Sequence, residues 1–291
     1  MFEGLFFDRA TAPALLLLYG VLGIASAVVS RTAPTGMLRL QVNAWWRIFP
    51  VFTLAWALYP WGGWLLLVLI ASLAWRELAQ HHANAPLRFQ WACAGLLALQ
   101  VTAMGLGLSQ MLFLLPAGAV LLAALQWWRP SAQRLLALLF VLCCAGLGFV
   151  LPLARDWFFY LFVVTALNDV AQFISGKCLG RHKIAKTISP NKTWAGLGGG
   201  VLASALVSLA LGLQLQLASG PALLLLGVGL SLAGFAGDLL FSAAKRSLGL
   251  KDFSNLIPGH GGILDRVDSL VLTAPLLYAV LRCAPFYLDS P

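Results

Sequence analysis

Residues 221–243 read PALLLLGVGLSLAGFAGDLLFSA, and residues 242–268, which overlap the end of that run, read SAAKRSLGLKDFSNLIPGHGGILDRVD. The first stretch is apolar over the roughly 20 residues that a helix needs to cross a bilayer, and one carboxylate, Asp238, interrupts it. The second gathers Lys245, Arg246, Lys251, Asp252, Asp265, Arg266 and Asp268 into a short segment of a chain in which only 10% of residues are charged. An oily helix that runs into a cluster of both signs reads as a membrane span with a polar site at its edge.

The rest of the 291 residues extends that reading. They are 60% hydrophobic, with a mean hydropathy of +0.88. Apolar runs near 11–30, 48–58, 61–75, 89–106, 109–126, 135–151, 157–175, 195–216, 221–243 and 267–284 predict an all-α polytopic membrane protein of about nine or ten transmembrane helices. The second and third runs are short and predict a hairpin around Tyr59, Pro60, Trp61, Gly62 and Gly63, or a single span. No polar stretch is long enough for a soluble domain. The chain therefore reads as one integral membrane domain, 1–291, with N-terminal helices over about 1–155 and a C-terminal part, about 156–291, that carries the chemistry. The opening MFEGLFFDRA has two acids and one base where a signal peptide would be basic, so 11–30 is expected to stay as a span.

If all ten runs cross, the nineteen Lys and Arg residues fall almost wholly on one side, leaving only Arg9, Arg155 and Arg282 opposite. The positive-inside rule then makes that side, with the polar site, cytoplasmic. It also accounts for the net charge of +9 without nucleic acid, because a basic face attracts anionic headgroups and nucleotides by about 1 kcal/mol per cation. The five cysteines, Cys93, Cys143, Cys144, Cys178 and Cys283, form neither a zinc spacing nor a disulfide framework. Trp45, Trp46, Trp127 and Trp128 lie at predicted span ends, and Trp157, Phe158, Phe159 and Tyr160 are expected to be boundary anchors of the same kind.

Two aspartates stand where charge is expensive. Asp169 and Asp238 would each cost about 2.5–3.5 kcal/mol at the centre of a lipid-facing helix. Asp238, Ser242 and Lys245 fall at i, i+4 and i+7, which puts a carboxylate, a hydroxyl and an ammonium on one helix face. Asp265 and Asp268 are i, i+3 neighbours around Arg266, and two like charges so close call for a cation; Mg2+ would serve and would also bind phosphate oxygens. Helix capping is the bland alternative for Asp268, internal pairing with Lys245 or Arg246 for Asp238, and polar packing beside Asn168 for Asp169. Between Lys251 and Asp265, Pro258, Gly259, His260, Gly261 and Gly262 form a turn whose N–H groups are expected to line a phosphate-binding concavity. His260 is expected to bond a phosphate or a metal-bound water, or to be a solvated loop residue. A second polar segment supplies Ser189, Pro190, Asn191, Lys192 and Thr193, a set suited to a triphosphate or a polar base edge.

The 242–268 window resembles the signature of phosphatidate cytidylyltransferases, in the order Ser242, Lys245, Arg246, Lys251, Asp252, Pro258, His260, Gly261, Gly262, Asp265, Arg266, Asp268. Ser189 to Gly196 resembles that family's Ser-Pro-Lys-Lys-Thr motif, and Asn168 to Gly176 its upstream Asp-containing span. The resemblance covers about the C-terminal half; the N-terminal half is similar only in hydropathy. Asn191 replaces a lysine of the pattern, Ala195 a glutamate, and Gln172 and Phe173 the usual Ala-Tyr. The resemblance implies a transfer from CTP to phosphatidate, giving CDP-diacylglycerol and pyrophosphate. Asp238, Asp265 and Asp268 would be metal ligands for Mg2+, with room for a second cation. Lys245, Arg246, Lys251, Arg266 and Lys192 would bind phosphates. Asp169, Ser189, Pro190, Asn191, Thr193, Ser242, Gly261 and Gly262 would complete the substrate site, and membrane lipids and a homodimer are the other expected partners. A related enzyme acting on another lipid phosphate or a lipid alcohol, a non-catalytic homologue and an ion-coupled transporter remain as other readings.

Overall fold

The computed structural model describes residues 11–32, 35–81, 131–257, 259 and 261–283, with scattered positions between 91 and 128. The runs expected at 89–106 and 109–126, and the residues Pro258 and His260, lie outside the described residues. Helices α1 (Thr11–Thr32), α2 (Met37–Ala57), α3 (Trp61–Gln80), α4 (Ala132–Gly148) and α5 (Arg155–Leu179) come first, followed by strands β1 (Lys183–Ala185) and β2 (Ser189–Thr193). Helices α6 (Trp194–Gln214), α7 (Gly220–Ser247), α8 (Leu264–Val267) and α9 (Leu270–Cys283) complete the described elements. Five of these helices, α1, α3, α5, α6 and α7, are long and apolar enough to cross a membrane. The run at 48–58 is the end of the longer helix α2, and the expected hairpin to α3 turns at Leu58, Tyr59 and Pro60.

The expectation of an all-α chain needs one correction. β1 and β2 pair antiparallel, Lys183 with Thr193 and Ala185 with Ser189. The segment is too polar to enter hydrocarbon and too short for another helix, so it satisfies its backbone as a hairpin against the end of the bundle.

Helices α5, α6, α7 and α9 pack on one another, with α2, α3 and α4 alongside. Phe158, Phe159 and Tyr160, expected as boundary anchors, are fully buried instead. Phe52 of α2 stacks on Phe158 at 5.6 Å and Trp56 lies 5.4 Å from Phe159, so this aromatic run joins α2 to α5 rather than marking an interface.

Between apolar helices in lipid, close approach and internal hydrogen bonds replace the hydrophobic drive. A Cβ on Gly200 of α6 would lie 2.4 Å from Gln172 Cγ of α5, and one on Gly227 of α7 would lie 2.6 Å from the carbonyl of Ser204. Through the seam so formed, Asn168 Oδ1 accepts from Ser204 Oγ (3.1 Å) and Ser231 Oγ (2.6 Å), joining α5, α6 and α7. Further along, Tyr160 donates to Ser208, which donates to the carbonyl of Leu223. Large apolar side chains such as Leu17, Leu65, Leu202 and Leu225 stand on the outer surface, as expected of helices solvated by lipid.

Candidate active site

Helix α7 is 28 residues long, about 40 Å at 1.5 Å per residue, against a hydrocarbon core of about 30 Å. It is thus longer than a span requires, and its last turns carry the charges Lys245 and Arg246. There α7 meets the C-terminal half of α5, the start of α6 and the turn from α8 into α9.

Ser242 Oγ donates to Asp238 Oδ1 at 3.3 Å, as the one-turn spacing predicts. Lys192, at the end of β2, forms an ion pair with Asp238 and donates to Gln172 Oε1 at 3.2 Å. Across from them, Asp169 accepts from Ser269 Oγ at 3.2 Å and from Asn168 Nδ2 at 3.3 Å. Asp268 is buried and accepts from the neighbouring Ser269 N–H. Asp169, Asp238 and Asp268 lie close enough to repel one another, with Lys192, Lys245 and Arg266 as the countercharges. Asn168 carries the polar packing foreseen for this region, and Asp169 both accepts from it and lies within electrostatic reach of the charged cluster.

Asp265 stands apart. It pairs with buried Lys245 at 2.5 Å, and its second oxygen accepts from the N–H groups of Phe253 (3.1 Å) and Gly262 (2.9 Å). At the end of the turn expected to offer N–H groups to a phosphate, Gly262 donates to Asp265 instead, and just beyond it Ile263 and Leu264 donate to Glu77; these three amides are taken by buried carboxylates. Gly261 has φ +79, and a Cβ there would lie 2.7 Å from Asp265 Oδ2. Glycine is thus required for the turn to close over that carboxylate.

The remaining expected residues lie around this core. Thr193 caps α6 by accepting from Gly196 N–H at 3.0 Å, while Pro190 and Asn191 are exposed on β2 and Ser189 is half-buried. Arg246 is exposed and donates to the carbonyls of Ile188 (3.1 Å) and Leu250 (2.9 Å), bracing the β-hairpin against the end of α7. Lys251 and Arg266 are exposed, with Arg266 acting on both Asp169 and Asp268.

Sequence reading overlooked Glu77, His81 and Ser269. Glu77 is 2% exposed, and its signal was the one that marked Asp169 and Asp238: a carboxylate inside an apolar run, LLLVLIASLAWRELAQ. Among the described residues, no three His, Cys, Asp or Glu side chains converge to hold a metal by themselves. The donors present are nonetheless all hard oxygens, from Asp169, Asp238, Asp268, Ser242 and Ser269. Mg2+ favours such ligands and commonly binds through only one or two carboxylates plus substrate phosphates. The crowding of three aspartates, which Lys192, Lys245 and Arg266 offset in part, fits that kind of ion.

A family model described as the cytidylyltransferase family matches residues 37–284. The chain belongs to the cytidylyltransferase family. The family match begins at the start of α2, so it extends well beyond the C-terminal half in which the motifs were read. Over 123 residues the chain is 44% identical to the Uncharacterized protein YnbB of Escherichia coli K12, covering 42% of this chain and 41% of that protein. Over a stretch of the same length it is 44% identical to a Phosphatidate cytidylyltransferase of Staphylococcus epidermidis, covering 42% and 47%. Over 192 residues it is 40% identical to the Phosphatidate cytidylyltransferase of Pseudomonas aeruginosa, covering 58% and 70%. The chain spans less than half the length of the first two of these family relatives.

Proposed function

We propose that the chain is a CTP-dependent cytidylyltransferase that converts phosphatidate and CTP to CDP-diacylglycerol and pyrophosphate. The observation that carries this reading is the convergence of Asp169, Asp238 and Asp268 with Lys192, Lys245 and Arg266 at one end of the helix bundle of a family member. The names of the relatives from S. epidermidis and P. aeruginosa supply the substrate. A phosphate oxygen of phosphatidate attacks the α-phosphorus of CTP, a new P–O–P bond forms, and the bond to the β-phosphate breaks as pyrophosphate leaves. The attacking phosphate is already ionised at neutral pH, so no general base is needed. The protein's task is to hold two anions together and offset their charge.

Lys192, Lys245 and Arg266 serve that end, with Lys251 at the rim. Asp238 and Asp268 would hold Mg2+, with Asp169 orienting them, and the bound ion would supply charge neutralisation on the phosphate oxygens. Asp265 is the weakest of the expected ligands, since both its oxygens already serve Lys245 and the backbone. The basic residues at this end support a cytoplasmic site, where CTP is found, and counting α2, α4 and α9 with the five long apolar helices and the two runs read at 89–106 and 109–126 would give the nine or ten spans.

The experiment is transfer of labelled CMP from CTP to phosphatidate by the purified protein, with and without Mg2+. Metal-dependent CDP-diacylglycerol is the expected result. CTP binding without product on phosphatidate, but with product on another lipid phosphate or a lipid alcohol, moves the acceptor. No CTP binding overturns the reading in favour of a non-catalytic homologue.

A further inference from the structure

Both ends of the segment 253–264 are fastened by one face of α3. Glu77 Oε1 accepts from Ser254 Oγ (2.6 Å) and from Ile263 N–H (2.7 Å), and Oε2 accepts from Leu264 N–H (3.1 Å). One turn further along, His81 Nε2 donates to the carbonyl of Phe253. Contact is close, because a Cβ on Gly262 would lie 2.5 Å from either Glu77 oxygen. Three donors meet two anionic oxygens in a place shut off from water, so each bond is costly to lose. A glutamine would keep one acceptor oxygen and turn an NH2 group toward donors.

The segment held this way leads directly into α8 and its boundary, where Asp265, Arg266 and Asp268 follow within one turn. Phe253, pinned by His81, also donates its N–H to Asp265 at 3.1 Å, and Asp265 holds Lys245. The chain of contacts therefore runs from α3 to the charged cluster with no gap: Glu77 to Ile263 and Leu264, then to Asp265 and Lys245, with Asp268 one residue beyond α8.

We propose that Glu77 is a positioning residue for the transfer reaction, acting with His81 as a clasp that sets Asp265, Arg266 and Asp268 against Lys245 and Asp238. The proposal rests on the function proposed above and assigns part of the machinery to the N-terminal half, where no motif had been found. Glu77 itself touches no reacting atom.

The test uses the full chain in detergent with CTP and phosphatidate, together with hydrogen exchange of backbone amides. In Glu77→Gln, kcat is expected to fall at least about tenfold with KM for CTP within about threefold, since displaced catalytic groups cost transition-state stabilisation. Exchange should quicken at 253–264 and remain unchanged in α5, α6 and α7. Ser254→Ala removes one donor and is expected to lower kcat about threefold, and the double variant should fall short of the product of the two effects. A Glu77→Gln protein with kcat within about twofold of the parent overturns the proposal, as does faster exchange spread through the whole bundle. If Glu77→Gln does not fold, Ser254→Ala decides: an unchanged kcat sinks the clasp, and a lowered kcat with exchange confined to 253–264 sustains it. If the parent protein makes no product from any lipid phosphate, the functional reading fails, and the exchange pattern alone still tests the clasp.

Discussion

Glu77 and Asp265 lie at the same end of the bundle as Asp169, Asp238 and Asp268, yet the two groups of carboxylates differ in how their charge is met. Glu77 takes three donors, and Asp265 takes a buried ammonium and two N–H groups. The other three repel one another; Asp238 has Lys192 and a hydroxyl, Asp169 a hydroxyl and a side-chain amide, and Asp268 the N–H of its neighbour. Burial does not separate the groups, because Glu77, Asp265 and Asp268 are all buried. Crowding of like charge does: one set holds the protein together, and the other is held together by the protein.

This division is most sharply broken by exchanging charge for amide in each group. Asp238→Asn and Asp268→Asn should each lower turnover by at least about a hundredfold; the melting temperature in detergent should stay level or rise for Asp268→Asn, where a repelling charge has gone, and change little for Asp238→Asn, where the loss of the partly exposed Lys192 pair offsets that gain. A matching fall in melting temperature would put them with the structural set. Asp265→Asn should do the reverse first. It leaves Lys245 buried without its anion, at about 3 kcal/mol, so the melting temperature is expected to drop clearly. An Asp265→Asn protein as stable as the parent but inactive would return Asp265 to the metal-binding group.

A smaller effect is expected from Gly200→Ala. Its methyl would press on Gln172 and, through it, on Lys192, costing about 2 kcal/mol by overpacking; thermal melting reads the loss, and an unshifted transition would show that the seam gives way easily. Least of all is expected from Arg246→Ala. The brace it makes is exposed and worth about 1 kcal/mol or less, so KM for CTP should change by less than about threefold. A rise of about tenfold or more would show that Arg246 binds the nucleotide after all.

Sequence reading succeeded where partners are close along the chain. The spacing of Asp238 and Ser242, the polar break at Asp169 and the apolar runs of α3, α5, α6 and α7 all follow from helical periodicity or from the cost of charge in lipid. It failed where partners are remote. Nothing local to RELAQ says that Glu77 will meet Ser254 and Leu264. Nothing in LDRVD says that Asp265 will turn to Lys245 while Asp268 turns toward Asp169 and Asp238. The β-hairpin was missed for a related reason: its strands are short and polar, and they are held partly by Arg246 from another element. The aromatic run at Trp157–Tyr160 looked interfacial because aromatic belts and aromatic cores share a composition and differ only in what lies opposite.

The oxygen of Asn168 that serves Ser204 and Ser231 together carries a consequence for the lineage as well as for the fold. A change at position 168 that removes this acceptor strands two hydroxyls on two other helices in a medium that offers them no water, so such a replacement is not neutral. Drift there must pass through coordinated changes at all three positions. Among descendants of a common ancestor, 168, 204 and 231 are therefore expected to vary as a unit, even while the leucines around them exchange freely.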